Sequence, residues 1–176
     1  MNRKKVVLFS EEQIQETVKR MGKEITEAYG NEPIYAISLL RGSFVFAADL
    51  VRKIETPTVV EFMTTSSYGD NEETSGRVDI INDVRFDLEG KNVLIIDDIC
   101  DSGITLNAIV NHIKEKNPKS IKTAVFLDKP ERRRVEIYPD FIGQEIEDLF
   151  VVGYGLNYGD FYRNCPYIFA FMKSEE

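Results

Sequence analysis

Apolar positions along the chain change period several times, and each change marks an element. Ile14, Val18, Met21, Ile25 and Ala28 recur at helical spacing behind Ser10-Glu11-Glu12-Gln13, and Gly30-Asn31 ends the stripe. A serine followed three residues later by glutamine is a capping-box signature, so the helix is expected to start after Ser10. Ile34 to Leu40 is a nearly continuous apolar run, as in a strand buried on both faces. After Arg41-Gly42-Ser43, residues Phe44 to Ile54 carry a helical pattern and Thr58 to Thr65 a strand pattern. Val78 to Val84 reads as a strand, Asp87 to Lys91 as a turn, and Val93 to Ile96 as a second buried strand. A helix is expected from Thr105 to Lys116 and a third buried strand from Ile121 to Leu127. The remainder reads as irregular, with short strands at Phe150 to Val152 and Tyr167 to Phe171.

Strand, helix and strand alternating through the middle of a chain predict an α/β fold, a central parallel sheet flanked by helices. The polar stretch Ser66 to Arg77 holds two glycines and no apolar period, and reads as a mobile loop. Loops of about a dozen residues inside a compact domain are uncommon and serve as lids or are simply disordered. No repeat or linker divides the chain, so residues 1–176 are expected to form one domain.

Composition narrows the function classes. The 176 residues are 43% hydrophobic and 30% charged, with a net charge of -8. An acidic balance argues against a nucleic-acid partner. The apolar runs are too short to cross a bilayer, and the N-terminus lacks a signal-peptide pattern. Two cysteines, Cys100 and Cys165, make neither a disulfide framework nor a metal motif, and a cytoplasmic location is expected. The basic run Arg132-Arg133-Arg134 reads as a solvated loop rather than a phosphate patch.

In parallel α/β sheets, ligands bind at the carboxyl ends of the strands. There the chain reads Val93-Leu94-Ile95-Ile96-Asp97-Asp98-Ile99-Cys100-Asp101-Ser102-Gly103-Ile104-Thr105. Adjacent aspartates at the end of an apolar strand are costly unless something pairs with them. Alternation is expected to send Asp97 and Asp98 to different sides, one toward sugar hydroxyls and one toward a metal shell. Asp101 to Thr105 supplies hydroxyls, a glycine and backbone N–H groups at a helix start, which suits a phosphate monoester. A plain helix cap by Asp101 or Ser102 is the commoner use of such residues, but it leaves Asp97 and Asp98 unexplained. His112, the single histidine, has no partner pattern, and Cys100 reads as a small apolar filler.

This segment closely resembles the phosphoribosyl pyrophosphate signature of the type I phosphoribosyltransferases. From about residue 6 to 172 the chain resembles their hypoxanthine-guanine members. The resemblance implies that fold, with a small hood built from the terminal segments, a lid carrying Ser67 and Tyr68, and a homodimer or homotetramer. It implies transfer of a phosphoribosyl group to a 6-oxopurine with magnesium as cofactor. Asp97, Asp98, Asp101, Ser102, Gly103, Ile104 and Thr105 would hold the donor and its 5′-phosphate, with Asp101 as general base. Leu40, Arg41, Gly42 and Arg163 would hold pyrophosphate. Ile99, Lys129, Phe150, Val151 and Asn157 would surround the purine, Lys129 facing its exocyclic oxygen. Asp97, Asp98 and Asn157 would serve the metal. The family usually has aspartate where this chain has Asn157, which keeps a carbonyl ligand and removes a charge. A different acceptor such as xanthine, or a nucleotide-sensing regulator on the same fold, are the rival readings.

Overall fold

The computed structural model describes residues 3–67 and 78–173. Chain order is β1 (Arg3–Phe9), α1 (Glu11–Tyr29), β2 (Ile34–Leu40), α2 (Phe44–Val51), β3 (Thr58–Ser67), β4 (Val78–Asn82), β5 (Asn92–Cys100), α3 (Ile104–Lys114), β6 (Ser120–Asp128), a 3₁₀ turn (Pro130–Arg132), β7 (Phe141–Glu145), β8 (Val151–Val152) and β9 (Ile168–Lys173). The capping box at the start of α1 is present. Ser10 Oγ accepts from the Gln13 N–H at 3.3 Å, and Gln13 Oε1 accepts from the Ser10 N–H at 2.9 Å. Ile14, Val18, Met21 and Ile25 are buried along one face, as their spacing predicts.

The larger sheet has the order β4-β3-β2-β5-β6-β7. All its pairings are parallel except that of the edge strand β4, which runs antiparallel to β3. The sheet is therefore mixed, where the sequence alone suggested a parallel one. Strand β5 explains the two-sided core: Leu94 and Ile96 pack with α1 and α2, while Val93 and Ile95 pack with α3. A run of four consecutive aliphatic residues is required because both faces are covered. The second sheet, β1-β9-β8, is antiparallel and joins the two ends of the chain, which is the hood that the resemblance implied. Among the described residues, no helix is long and apolar enough to cross a membrane.

Several boundaries differ from expectation. Ser66 and Ser67 belong to β3, so the expected lid begins later; Tyr68 and the rest of that loop lie outside the described residues. Strand β5 continues through Asp97 and Asp98 to Cys100. Helix α2 stops at Val51, short of Ile54. Strands β1 and β7 had no clear sequence signal. β1 is basic and partners β9 from the far end of the chain. β7 carries Gly143, where a Cβ would lie 2.4 Å from the Phe126 carbonyl oxygen. Strand β7 is also held from α1, since Arg20 donates to the Gly143 carbonyl at 2.6 Å and Gln144 to Thr17 at 2.8 Å.

Helix α1 approaches the turn after α2 through Gly22, where a Cβ would fall 2.5 Å from Lys53 Cβ and 2.6 Å from its carbonyl oxygen. The added methyl meets backbone that cannot swing aside, which outweighs the helix-propensity gain of about 1 kcal/mol from alanine. Gly22→Ala is expected to cost about 1–2 kcal/mol and lower the melting temperature by several degrees, with kcat retained. A thermal melt checks this, and an unchanged or raised midpoint would show that the turn yields.

Candidate active site

The carboxyl ends of β2 and β5 open into a cavity of about 360 Å³. It is lined by Leu39, Leu40, Arg41 and Gly42 from one side, by residues 97–103 and Thr105 from the other, and by Thr65 and Leu106. β2 pairs with β5 only as far as Ser38 with Ile96, so Asp97 and Asp98 overhang the turn that follows β2. Both residues therefore line one cavity, where strand alternation had suggested that they diverge, and the Asp98 N–H donates to Asp97 Oδ1 at 3.0 Å.

The turn after β2 is pinned from below. Buried Ser43 donates to the Leu39 carbonyl at 2.6 Å and shares a 2.7 Å hydrogen bond with buried Ser38. The Leu40–Arg41 peptide is cis. At Gly42 a Cβ would sit 1.8 Å from Asp98 Oδ2, so only glycine allows the turn to lie against that carboxylate. Gly155 backs the same turn: its own Cβ would fall 2.1 Å from the Gly42 carbonyl oxygen, at φ +96°. Arg163 Nη1 donates to the Gly155 carbonyl at 2.7 Å. Arg163 does not line the cavity wall itself, but its charge reaches Asp98.

The loop before α3 presents backbone N–H groups at a helix start. Gly103 holds the N-cap position at φ +80° with no side-chain cap, and the Ser102 hydroxyl accepts only from the Ile104 N–H, at 3.3 Å. The N–H groups that follow in the first turn have no carbonyl partner within the helix, as at any helix start. Residues 129–134 fasten this loop. Arg133 Nη1 donates to the carbonyls of Cys100 at 3.0 Å and Asp101 at 2.6 Å, and Nη2 pairs with the Asp128 carboxylate. The Arg134 N–H donates to the Ser102 carbonyl at 2.9 Å. The basic run expected to be solvated thus contains a buried arginine, because its guanidinium satisfies carbonyls that a tight loop leaves unpaired.

Residues 8–159 match the family model of the phosphoribosyl transferase domain. The hypoxanthine-guanine phosphoribosyltransferase of Aquifex aeolicus is 47% identical over 93% of this chain and 92% of its own length. That of Bacillus subtilis is 48% identical over 92% of this chain and 90% of its own. The crystal structure of a Bacillus anthracis hypoxanthine-guanine phosphoribosyltransferase superposes with a TM-score of 0.90 at 43% identity, covering 93% of this chain and 96% of that one. The chain belongs to the phosphoribosyl transferase family.

Of the remaining residues singled out in this phosphoribosyl transferase, Ile99 lies in the cavity wall and the others lie outside it. Lys129 follows β6; its backbone N–H donates to the Cys100 carbonyl at 2.9 Å, and its side chain is buried. Phe150 is 59% exposed and is braced edge-on by Tyr158 at 5.7 Å, which leaves a ring face open. Val151 is buried in the core and paired with Ala170, so only its backbone can meet a ligand. Asn157 turns its amide nitrogen to the Gly159 carbonyl at 2.5 Å. His112 meets Asp83 at 2.8 Å, a salt-bridge partner that the sequence pattern did not reveal. Thr65 in β3 and Asp148 were not singled out in the sequence, since a lone polar residue carries no periodic signal, and Arg132 and Arg133 were read only as part of a solvated run.

Electrostatics set the acidic pair apart. Burial, and then the neighbouring Asp98 charge, push the Asp97 carboxyl well above the ordinary carboxylate range. Asp98 is raised too, by burial, with its hydrogen bonds to Asp97 and the backbone and the Arg163 charge opposing. A carboxyl raised in the folded state binds more protons there than in the unfolded chain. Its contribution to stability is present at low pH and is lost as pH rises through the raised value. Asp97→Asn removes that loss. The variant is expected to melt higher than the parent at pH 8, with a smaller difference at pH 5, while losing activity. Melts at both pH values test this, and a pH-independent difference would contradict the assignment.

Proposed function

We propose that the chain acts as one catalytic domain that transfers a 5-phosphoribosyl group from phosphoribosyl pyrophosphate to hypoxanthine or guanine, giving the nucleotide and pyrophosphate. One observation carries the reading: a helix-start loop and a pair of overhanging carboxylates line one cavity at the carboxyl ends of the strands, and the ammonium of a buried lysine lies 3.6 Å from Asp101 in that wall. Relatives named hypoxanthine-guanine phosphoribosyltransferase at 47% and 48% identity support the choice of acceptor.

Residues 102–105 grip the 5′-phosphate with backbone N–H groups and hydroxyls, which fixes the sugar. Asp97 and Asp98 accept from the ribose hydroxyls. The Leu40–Arg41–Gly42 turn and Arg163 receive the pyrophosphate. The purine lies between Ile99 and Phe150, with the Lys129 ammonium donating to its exocyclic oxygen and the Val151 backbone meeting its edge. Asp101 takes the proton from the purine nitrogen opposite the one that attacks. Bond breaking at the anomeric carbon, with positive charge developing on the sugar, is favoured by the carboxylates beneath it. The Ser67–Tyr68 segment is proposed to exclude water, which would otherwise hydrolyse the donor.

A divalent cation suits this donor set. Among the described residues no group of three or more acidic, histidine or cysteine side chains can form a protein cage. Magnesium is characteristically held by one or two carboxylates together with substrate phosphates, and Asp97 and Asp98 supply those carboxylates. When bound, it would neutralise charge on the leaving pyrophosphate. Asn157 offers a carbonyl oxygen without a charge, so a second ion would be held more weakly than by aspartate.

Purified protein with phosphoribosyl pyrophosphate and magnesium is expected to form nucleotide from hypoxanthine and guanine, more slowly from xanthine, and to fall silent with a chelator. Asp101→Asn should lower kcat by about 10²–10⁴-fold while donor binding persists. Normal turnover in that variant would remove Asp101 from the role of base, and silence with every base would sink the enzymatic reading.

A further inference from the structure

Lys129 is a lysine held at 6% exposure, and its ammonium lies between two carboxylates. Asp101 Oδ2 and Asp148 Oδ1 are each 3.6 Å from Lys129 Nζ. That is too long for a hydrogen bond, so the pair neutralises the ammonium without consuming its three N–H donors. Arg132 closes the ring from the outside, its Nε 3.0 Å from Asp101 Oδ1 and its Nη1 3.2 Å from Asp148 Oδ2. These are true charge-assisted hydrogen bonds, and they set both carboxylates in place beside the lysine. Asp148 is brought there by backbone pairing, because the Ile146 N–H donates to the Asp128 carbonyl at 2.8 Å, one residue before Lys129.

The ring has a consequence for turnover. Asp101 has to leave it to accept the purine proton, and after that transfer it carries no charge. Lys129 would then be a buried cation with no counter-charge, which is costly, unless Asp148 stays. We infer that Asp148 is a positioning residue: it holds the Lys129 ammonium in place and aimed at the purine oxygen while Asp101 is engaged, and Arg132 sets the ring in the free protein. The inference rests on the reading of Lys129 as the ligand of the exocyclic oxygen. It adds a determinant of base recognition outside the cavity wall.

The test is steady-state kinetics of Asp148→Asn, Asp148→Glu and Asp148→Asn combined with Arg132→Gln, with melting temperatures alongside. Asp148 lies half exposed, so Asp148→Asn is expected to fold normally. Its KM for hypoxanthine should rise about tenfold while kcat and the donor KM change by no more than about twofold. The preference for hypoxanthine over adenine should fall by a similar factor, and Asp148→Glu should restore most of it. The effect should persist with Arg132→Gln, since Asp148 acts on Lys129 directly. An unmoved base KM would overturn the inference, as would base and donor KM rising together with a drop in melting temperature. An effect that vanishes in the Arg132→Gln background would overturn it too, by routing Asp148 through the arginine. A parent protein with no preference for hypoxanthine over adenine would fail at the Lys129 reading itself, which the parent's own assay reveals before any variant is made.

Discussion

Two adjacent aspartates extend past the pairing of β2 after four consecutive aliphatic residues of β5, and much of the site's construction answers that placement. Each carboxyl is raised by burial, and Asp97 further by its neighbour, so the pair is a standing electrostatic cost in the free protein. The turn after β2 can lie against Asp98 only because Gly42 has no side chain. Gly155 must be equally bare to back that turn, and Arg163 both holds Gly155 and lends its charge to Asp98. Under the proposed function, such a cost is offset by a substrate that arrives with sugar hydroxyls and a cation. Functional sites commonly retain groups that a purely structural protein would discard.

The segment from Asp128 to Arg134 is the second organising element. Arg133 ties the carbonyls of Cys100 and Asp101 to the buried Asp128 carboxylate, so the loop before α3 is held by an ion pair inside the protein. Arg132 and Lys129 face the other way, toward Asp101 and Asp148. Successive arginines in one short turn thus have different partners: one ties down the loop, and its neighbour bridges Asp101 and Asp148.

Much of this was legible in the residues. The capping box, the extents of β2 and α1, the buried runs of β5 and β6 and the acid-rich motif at the end of β5 each follow from a local pattern. What was not legible depends on distant partners. β1 becomes a strand by pairing with β9, and β7 by lying beside β6 and under α1, so neither has a period of its own. Asp97 and Asp98 converge because β2 stops pairing at Ile96, a fact about register rather than sequence. The burial of Arg133 follows from carbonyls in a loop some thirty residues earlier, and a charge run read alone gives no hint of them.

The central claim is that the acidic pair is relieved by donor and cation together. Thermal melts of the protein with phosphoribosyl pyrophosphate, with magnesium, with both, and with both plus a chelator test it most directly. A ligand that binds only the folded state raises the melting temperature according to its affinity. The account predicts a large rise with donor and magnesium together, and little with either alone or in the presence of chelator. A rise of the same size from the donor in chelator would contradict it, because the carboxylates would then be accommodating the anionic donor without the cation.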